Sequence, residues 1–394
     1  MKINKVFSFL AIVLSILLVT RATLLSNYLL IDLPWALLHV ALLLSIIAIN
    51  LVIRARLKVE YLFLLLIGPF ISVIANDIPE YFRAPERLVY FMITMFVVGP
   101  IYVNTSTLIF REKLLRNLIV YLGVVGSVLS VIWSILGLPN LGRGPFSGIF
   151  THSMLLAPFS SVGLIYCIWH IVNYKHRRKV FIALALFCLY ALLLSNSRVA
   201  MIGALVCSLI IFSVGMKLMQ KVAVVTFCAP LLIIGLTYLV DNTSTFDFIS
   251  NRGTLSNTRE ALWEDRLSEF SNSPIVGVGF ASVDPLSQIN NTTYDQDSQT
   301  GVVEPGSSYL AILSMTGIIG GLAMTIFFVT MFIGRKHALR KENNLLNYIL
   351  IFFFIHMIAE GYIFASGSIQ GIIFWLTVSI KATGYKDQSL FSST

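Results

Sequence analysis

Apolar residues run along this chain in long blocks, and polar residues collect in the gaps between them. Twelve blocks reach or approach the roughly 20 residues that cross a bilayer core as helix. They lie at about 5–20, 29–53, 61–75, 89–110, 118–137, 155–172, 180–195, 201–215, 222–240, 309–333, 345–365 and 369–382. The blocks at 61–75, 180–195 and 201–215 are short, as broken or tilted helices would be. The pattern predicts an all-α polytopic membrane protein of about 12 transmembrane helices, a single integral membrane domain over 1–394. Met1–Thr20 has the basic start and apolar core of a signal peptide. No small-x-small cleavage site precedes Arg21, so it reads as the first span.

One gap stands apart. Most connections are a handful of residues, but Asp241–Ser308, about 68 residues, separates spans nine and ten. Loops of this length are usually functional or disordered. Here Asn257 and Glu260 form a capping-box pair, followed by Trp263, Leu267 and Phe270 at helical spacing. The spacing predicts a short amphipathic helix near 257–271, with Glu264, Asp265 and Glu269 on its wet side. It should end at Ser271–Pro274 and be followed by a tight turn at Gly277-Val-Gly279. Gln288–Gln299 is polar and reads as a mobile tail.

Composition agrees with a membrane solvent. The chain is 57% hydrophobic and 12% charged, against about 25% charged in soluble proteins. Charge then supplies an orientation. With the N-terminus inside, all twelve lysines and eight of the sixteen arginines fall on the inner side. The short loops obey the positive-inside rule. The net charge of +9 therefore reads as cytoplasmic loop charge beside anionic lipid, not as a nucleic-acid footprint. The long loop comes to lie outside. Cys167, Cys188, Cys207 and Cys228 all fall inside expected spans, so they read as small buried residues.

The eight outer cations are all arginines: Arg21, Arg83, Arg87, Arg143, Arg198, Arg252, Arg259 and Arg266. Arg143 lies in a Gly-rich loop after span five, and Arg198 lies in Ser195-Asn-Ser-Arg198 between two short spans. A charge at that depth is expensive and by default functional. Arg259 falls in the first turn of the expected loop helix, where free backbone amides already favour an anion. The planar guanidinium suits phosphate oxygens. Arg143, Arg198, Arg259 and Arg266 are thus candidates to hold a lipid-borne phosphate or pyrophosphate. The alternative is that these arginines pair with Asp77, Glu80, Glu86, the loop acids or headgroups.

Four segments carry a family resemblance: Ser195-Asn-Ser-Arg198, Arg259-Glu-Ala-Leu-Trp263, Asn272-Ser-Pro-Ile-Val-Gly-Val-Gly-Phe280, and Ser307-Ser-Tyr-Leu-Ala-Ile-Leu-Ser-Met-Thr-Gly317-Ile-Ile-Gly320. In this order around one large outer loop, over about 140 to 321, they resemble the bacterial O-antigen polymerase and ligase superfamily. The resemblance implies a GT-C-like membrane glycosyltransferase of the bacterial inner membrane with its active site facing the periplasm. It implies an undecaprenyl-diphosphate-linked oligosaccharide as donor, no nucleotide sugar, no metal and no cofactor. It also implies inversion at the anomeric centre, with residues matching Arg198 and Arg259 on the pyrophosphate. A flippase and a chain-length regulator would be partners. In the ligase branch a histidine stands three residues before the tyrosine of the Ser307–Tyr309 motif. Here that position is Gly306, which favours the Wzy-type polymerase branch. Glu304, two residues earlier, is the candidate general base. His152 is a second candidate, and ordinary loop residues are the alternative for both.

The expected function is polymerisation of an O-antigen, capsule or similar surface polysaccharide. The alternatives are a ligase acting on lipid A-core and, in another class, a lipid-linked oligosaccharide flippase or transporter. Paired, Gly/Pro-broken midplane helices of the transporter kind are not evident. Asp295-Gln-Asp297 resembles the metal-binding pair of nucleotide-sugar transferases but reads as solvated loop acids. His356 and Glu360 fall at i, i+4 in span eleven and, with no third ligand evident, read as a hydrogen-bonded pair. Gly317-Ile-Ile-Gly320-Gly321 offers small residues for close helix packing.

Overall fold

The computed structural model describes residues 2–25, 56–103, 105–142, 145–174, 177–213, 255–284, 294–295, 300–301, 303, 306–333 and 344–383. Helices dominate. They are α1 Lys2–Ala22, α2 Val59–Ala75, α3 Ala84–Val97, α4 Thr105–Leu118, α5 Gly126–Ile135, α6 Ser153–Asn173, α7 Arg178–Ser195, α8 Arg198–Ser213, α9 Leu255–Asn272, α10 Ser308–Ile333, α11 Asn344–His356 and α12 Ile369–Thr383. A π-helical turn, Ile119–Val125, joins α4 to α5. Among the described residues five helices are long and apolar enough to cross a membrane: Lys5–Ala22, Thr107–Ile135, Ser153–Asn173, Arg178–Ser195 and Ser308–Met331. Shorter apolar helices lie at Val59–Ala75, Arg198–Ser213, Leu345–His356 and Ile369–Ala382. These helices point to a multi-pass membrane protein, predominantly α-helical among the described residues. The expected spans at 29–53 and 222–240 lie outside the described residues.

The chain forms two compact units. One comprises Met1–Leu118, Ala261–Leu350 and His356–Thr394, and the other Ile119–Glu260 and Ile351–Ile355. In the first, α10 packs on α2 where Gly68 meets Gly320 backbone to backbone. The small residues of the Gly317–Gly321 stretch thus do the packing their size allows. The Ser72 hydroxyl donates to the Met315 carbonyl at 2.5 Å across the same contact. In the second unit, the π-helical turn brings Gly123 against Gly163 of α6. Beside that approach Ser127 Oγ donates to Ser160 Oγ at 2.8 Å. Cys167, Cys188 and Cys207 are buried.

Two expectations about the spans change. The apolar run read as one span at 89–110 is two helices, α3 and α4, with residues 98–103 outside both. The break holds Gly99-Pro100, and a residue before proline is pushed out of the helical region. Hydropathy passes over it because the neighbours stay apolar. Arg111 therefore sits inside α4 and not in a loop after the span. It is buried, and its Nε donates to Val97 O at 2.9 Å, Nη2 to Phe96 O at 3.3 Å, and Nη1 to Tyr102 O at 2.8 Å and Ser379 Oγ at 2.7 Å. The guanidinium caps carbonyls that the end of α3 leaves without helical partners. Arg111→Leu should lower thermal stability in detergent by about 3 kcal/mol or more, because several buried acceptors lose their donor at once. An unchanged melting temperature would remove this role.

The second change concerns span eleven. Helix α11 ends at His356, so Glu360 lies beyond it and the pair does not share a helix face. His356 Nδ1 faces the Tyr362 hydroxyl at 3.4 Å instead. Residues past His356 are drawn off the helix by Ser307 and Ser308, whose bonds belong to the site below.

Candidate functional site

Helix α9 forms in the long loop as the residue pattern requires, but with a different face inwards. It begins at Leu255, so Asn257 lies in its first turn and is not the N-cap, and Arg259 is its fifth residue. Leu267 is 50% exposed, whereas Arg266 and Glu269 are only 2% and 1% exposed. Glu269, expected on the wet side, is buried. Its Oε2 meets Arg266 Nη1 at 2.7 Å, and its Oε1 accepts from the Asp284 backbone N–H at 2.8 Å. The i, i+3 spacing of Arg266 and Glu269 was the available signal. Burial lowers the Arg266 pKa, and the carboxylates of Glu269, Asp265 and Asp284 oppose that shift. Burial raises the Glu269 pKa, opposed by Arg266 and by the Asp284 N–H.

The segment after α9 is built into a break in α10. Gly317 has φ 62° and ψ −165°, outside helical geometry. Such a break frees backbone groups that must find new partners. The preceding loop supplies them. Ile318 N–H donates to Pro274 O at 2.8 Å, Ile319 N–H to Ile275 O at 3.3 Å, and Val278 N–H to Ser314 O at 2.8 Å. Gly277 and Gly279 have φ of 74° and 134°, so the expected turn forms with glycine where φ is positive. Phe280 then packs between Phe91 and Phe364, with ring centroids 5.9 and 5.3 Å away. Arg87, one of the outer arginines, donates from Nη1 to Ala281 O at 3.1 Å.

The start of α10 is tied equally firmly. Ser308 N–H donates to Met357 O and Glu360 O, and its hydroxyl donates to Glu360 O at 2.7 Å while accepting from Tyr362 N–H at 3.1 Å. Ser307 Oγ donates to Met357 O at 3.3 Å. Tyr309 is exposed on the first turn. Gly306 has φ 67°, and a Cβ there would lie 3.1 Å from Leu262 Cβ. Trp263 Nε1 donates to the Gly306 carbonyl at 3.4 Å. The segment preceding α10 thus runs against the middle of α9. Glu304 lies two residues upstream, outside the described residues, as does Arg143.

The second unit places two further candidates. In Ser195-Asn-Ser-Arg198, Asn196 is left-handed at φ 56° and closes α7. Arg198 is then the first residue of α8 and is exposed. His152 is the N-cap of α6, with Nδ1 accepting from the Met154 N–H at 3.0 Å. With Nδ1 so used, a neutral ring carries its proton on Nε2 and offers a donor there, not a base. Of the other outer arginines, Arg83 meets Glu86 at 3.9 Å on the exposed surface, a pair worth little.

One smaller reading changes. Asp295 belongs to a two-residue antiparallel ladder, Tyr294–Asp295 with Thr300–Gly301, so part of the tail expected to be mobile is paired. Asp297 lies outside the described residues. Among the described residues no three His, Cys, Asp or Glu side chains cluster as metal ligands would.

A family model described as O-antigen ligase matches residues 182–325, which takes in α8, α9, the Gly277–Gly279 turn and the kinked first half of α10. No curated protein is similar enough to this chain to narrow that assignment. Two of the segments that carried the resemblance in the sequence, Asn272–Phe280 and Ser307–Gly320, meet at the α10 break, and over 182–325 the chain is similar to the O-antigen ligase family, which supports the O-antigen polymerase and ligase superfamily.

Proposed function

We propose that this protein is a surface-polysaccharide polymerase of the bacterial inner membrane, working at its periplasmic face. It transfers a glycan from undecaprenyl diphosphate to the non-reducing end of another lipid-linked repeat unit. The acceptor hydroxyl attacks the anomeric carbon, the bond to the diphosphate breaks, and configuration inverts. The leaving group gains negative charge as that bond breaks, and fixed cations stabilise it best. Arg198 and Arg259 take that role, Arg198 as the first residue of α8, where free amides favour an anion, and Arg259 from the early part of α9. Glu304 is the candidate that receives the acceptor's proton. The capping duty of His152 Nδ1 supports this choice over His152.

The observation that carries the polymerase reading is Gly306. The ligase branch is expected to place a histidine there. In this chain the position has φ 67° and lies against Leu262, so a side chain would be strained. The description of the matched family favours the ligase as the second reading.

Reconstituted protein given lipid-linked repeat units on one side of the bilayer separates the possibilities. Longer lipid-linked chains, made without lipid A-core, are the expected product. Transfer only to lipid A-core would establish the ligase instead, and a change of leaflet without elongation would establish a flippase. In the same assay Glu304→Gln should abolish elongation while donor binding persists, since glutamine keeps the shape but cannot take the proton. Full elongation by that variant would remove Glu304 from the mechanism.

A further inference from the structure

We infer that Tyr309 and Glu360 form the subsite that holds the acceptor sugar, an aromatic ring beside a carboxylate that accepts sugar hydroxyls. The inference deepens the polymerase reading and rests on it. It starts from residues 357–368, between α11 and α12, which are not helical although their sequence stays largely apolar. Irregular backbone at membrane depth persists only inside protein or beside a water-filled cavity. Here protein ties hold it. Ser307 and Ser308 bind the Met357 and Glu360 carbonyls, and Ser308 Oγ takes the Tyr362 N–H. Trp375 Nε1 donates to Ile363 O at 3.1 Å, and the Phe364 ring packs on Phe91 at 5.5 Å. Glu360 is therefore carried on a fixed stretch of backbone beside the first turn of α10.

Glu360 stays partly exposed on that stretch, and Tyr309 is 40% exposed on the helix turn next to it. The buried Tyr362 lies within electrostatic reach of both the Glu360 carboxylate and the Tyr309 hydroxyl, so the three side chains belong to one cluster. Buried His356 faces the Tyr362 hydroxyl from α11. The chemistry of the exposed pair selects its ligand. An ionised carboxylate repels a diphosphate and only accepts hydrogen bonds, the stronger for its charge. A tyrosine offers an apolar ring with a polar tip. Sugars present hydroxyls at their rim and C–H groups on their faces, so the pair suits a glycosyl unit and not the leaving group that the arginines take. In the orientation read from charge, the start of α10 and the end of α11 both face outside, where the acceptor arrives. Holding the acceptor is a separate task from the proton transfer assigned to Glu304.

The test uses proteoliposomes, with lipid-linked repeat units as donor. The acceptor is the same repeat unit on a simple alkyl glycoside, which can be extended but cannot donate. Varying each substrate separately gives two KM values. Glu360→Ala and Tyr309→Ala should each raise the acceptor KM about tenfold or more while the donor KM stays within about threefold, the pattern of binding lost on one side only. Tyr309→Phe keeps the ring face and should stay within about threefold of wild type in acceptor KM. Melting temperatures in detergent should match wild type. Where an alanine variant does not accumulate, Glu360→Met or Tyr309→Leu fills the space without the carboxylate or the ring and carries the same expectation. A wild-type acceptor KM at either position, or donor and acceptor KM rising together, overturns the inference. Failure of the polymerase reading looks different, because the wild-type protein then extends no alkyl glycoside and transfers only to lipid A-core. In that event the same variants are measured with lipid A-core as acceptor, and a wild-type KM for it overturns the inference as well.

Discussion

Gly317→Val should leave little folded protein, while Gly321→Ala, four residues along the same helix, should behave as wild type. Gly317 lies at φ 62° and ψ −165°, a region that is essentially glycine-only. Forcing another residue into it costs about 1–3 kcal/mol before any contact is considered. The contact is worse than the torsion. A Cβ at Gly317 would run into the carbonyl of Ile275 and lie 2.6 Å from the Val276 nitrogen. Backbone atoms cannot step aside, and these belong to the loop whose carbonyls at Pro274 and Ile275 hold the Ile318 and Ile319 amides. Moving the loop to admit a side chain would orphan those buried amides, at about 1–3 kcal/mol each. The summed loss approaches the whole stability of an ordinary domain. At Gly321 a Cβ would meet only the Leu313 Cδ2 tip at 2.8 Å, and a leucine rotamer can yield. Thermal unfolding in detergent, read with abundance in the membrane, checks both. A Gly317→Val protein that melts within a few degrees of wild type would mean that the α10 break is not the constraint it looks to be.

That contrast bears on what a reader of the sequence could and could not see. The membrane class and several span positions were legible because hydropathy is local: α1, α6, α7 and α10 stand where their apolar blocks lie. The turn at Gly277-Val-Gly279 was legible because only glycine suits its torsions. What failed was settled by distant residues. The break after α3 is completed by Arg111, which reaches back to Phe96 and Val97. Helix α11 stops at His356 because Ser307 and Ser308, far away in the chain, hold the carbonyls of Met357 and Glu360. The wet and dry faces of α9 were misread because periodicity weighs side chains by polarity. A carboxylate and a guanidinium that satisfy each other can be buried where a lone charge cannot. The candidate segments were legible one by one, while the joining of Asn272–Phe280 to Ser307–Gly320 through the Gly317 kink was not, since backbone bonds leave no mark on residue type.

Arg198→Lys should cut polymer formation by more than about tenfold, which is about 1.4 kcal/mol of transition-state stabilisation, and Arg259→Ala should do the same or worse. Lysine keeps the charge at the start of α8 but loses the planar fork that grips two phosphate oxygens at once. A surface arginine held only by headgroups would tolerate that exchange. Arg198 is exposed at the first residue of α8, so the fold itself has little stake in its shape. The two effects can therefore be separated: abundance and melting temperature should stay at wild type while elongation falls. Arg83→Lys is the matched control, because Arg83 makes one long surface pair with Glu86 and should elongate normally. Glycan ladders from cells lacking the native protein, with variant abundance measured in the same membranes, give the comparison. Ladders of wild-type length and amount from both Arg198→Lys and Arg259→Ala would sink the diphosphate site. The leaving group would then have to be stabilised by other cations of the outer loops, Arg143 first among them.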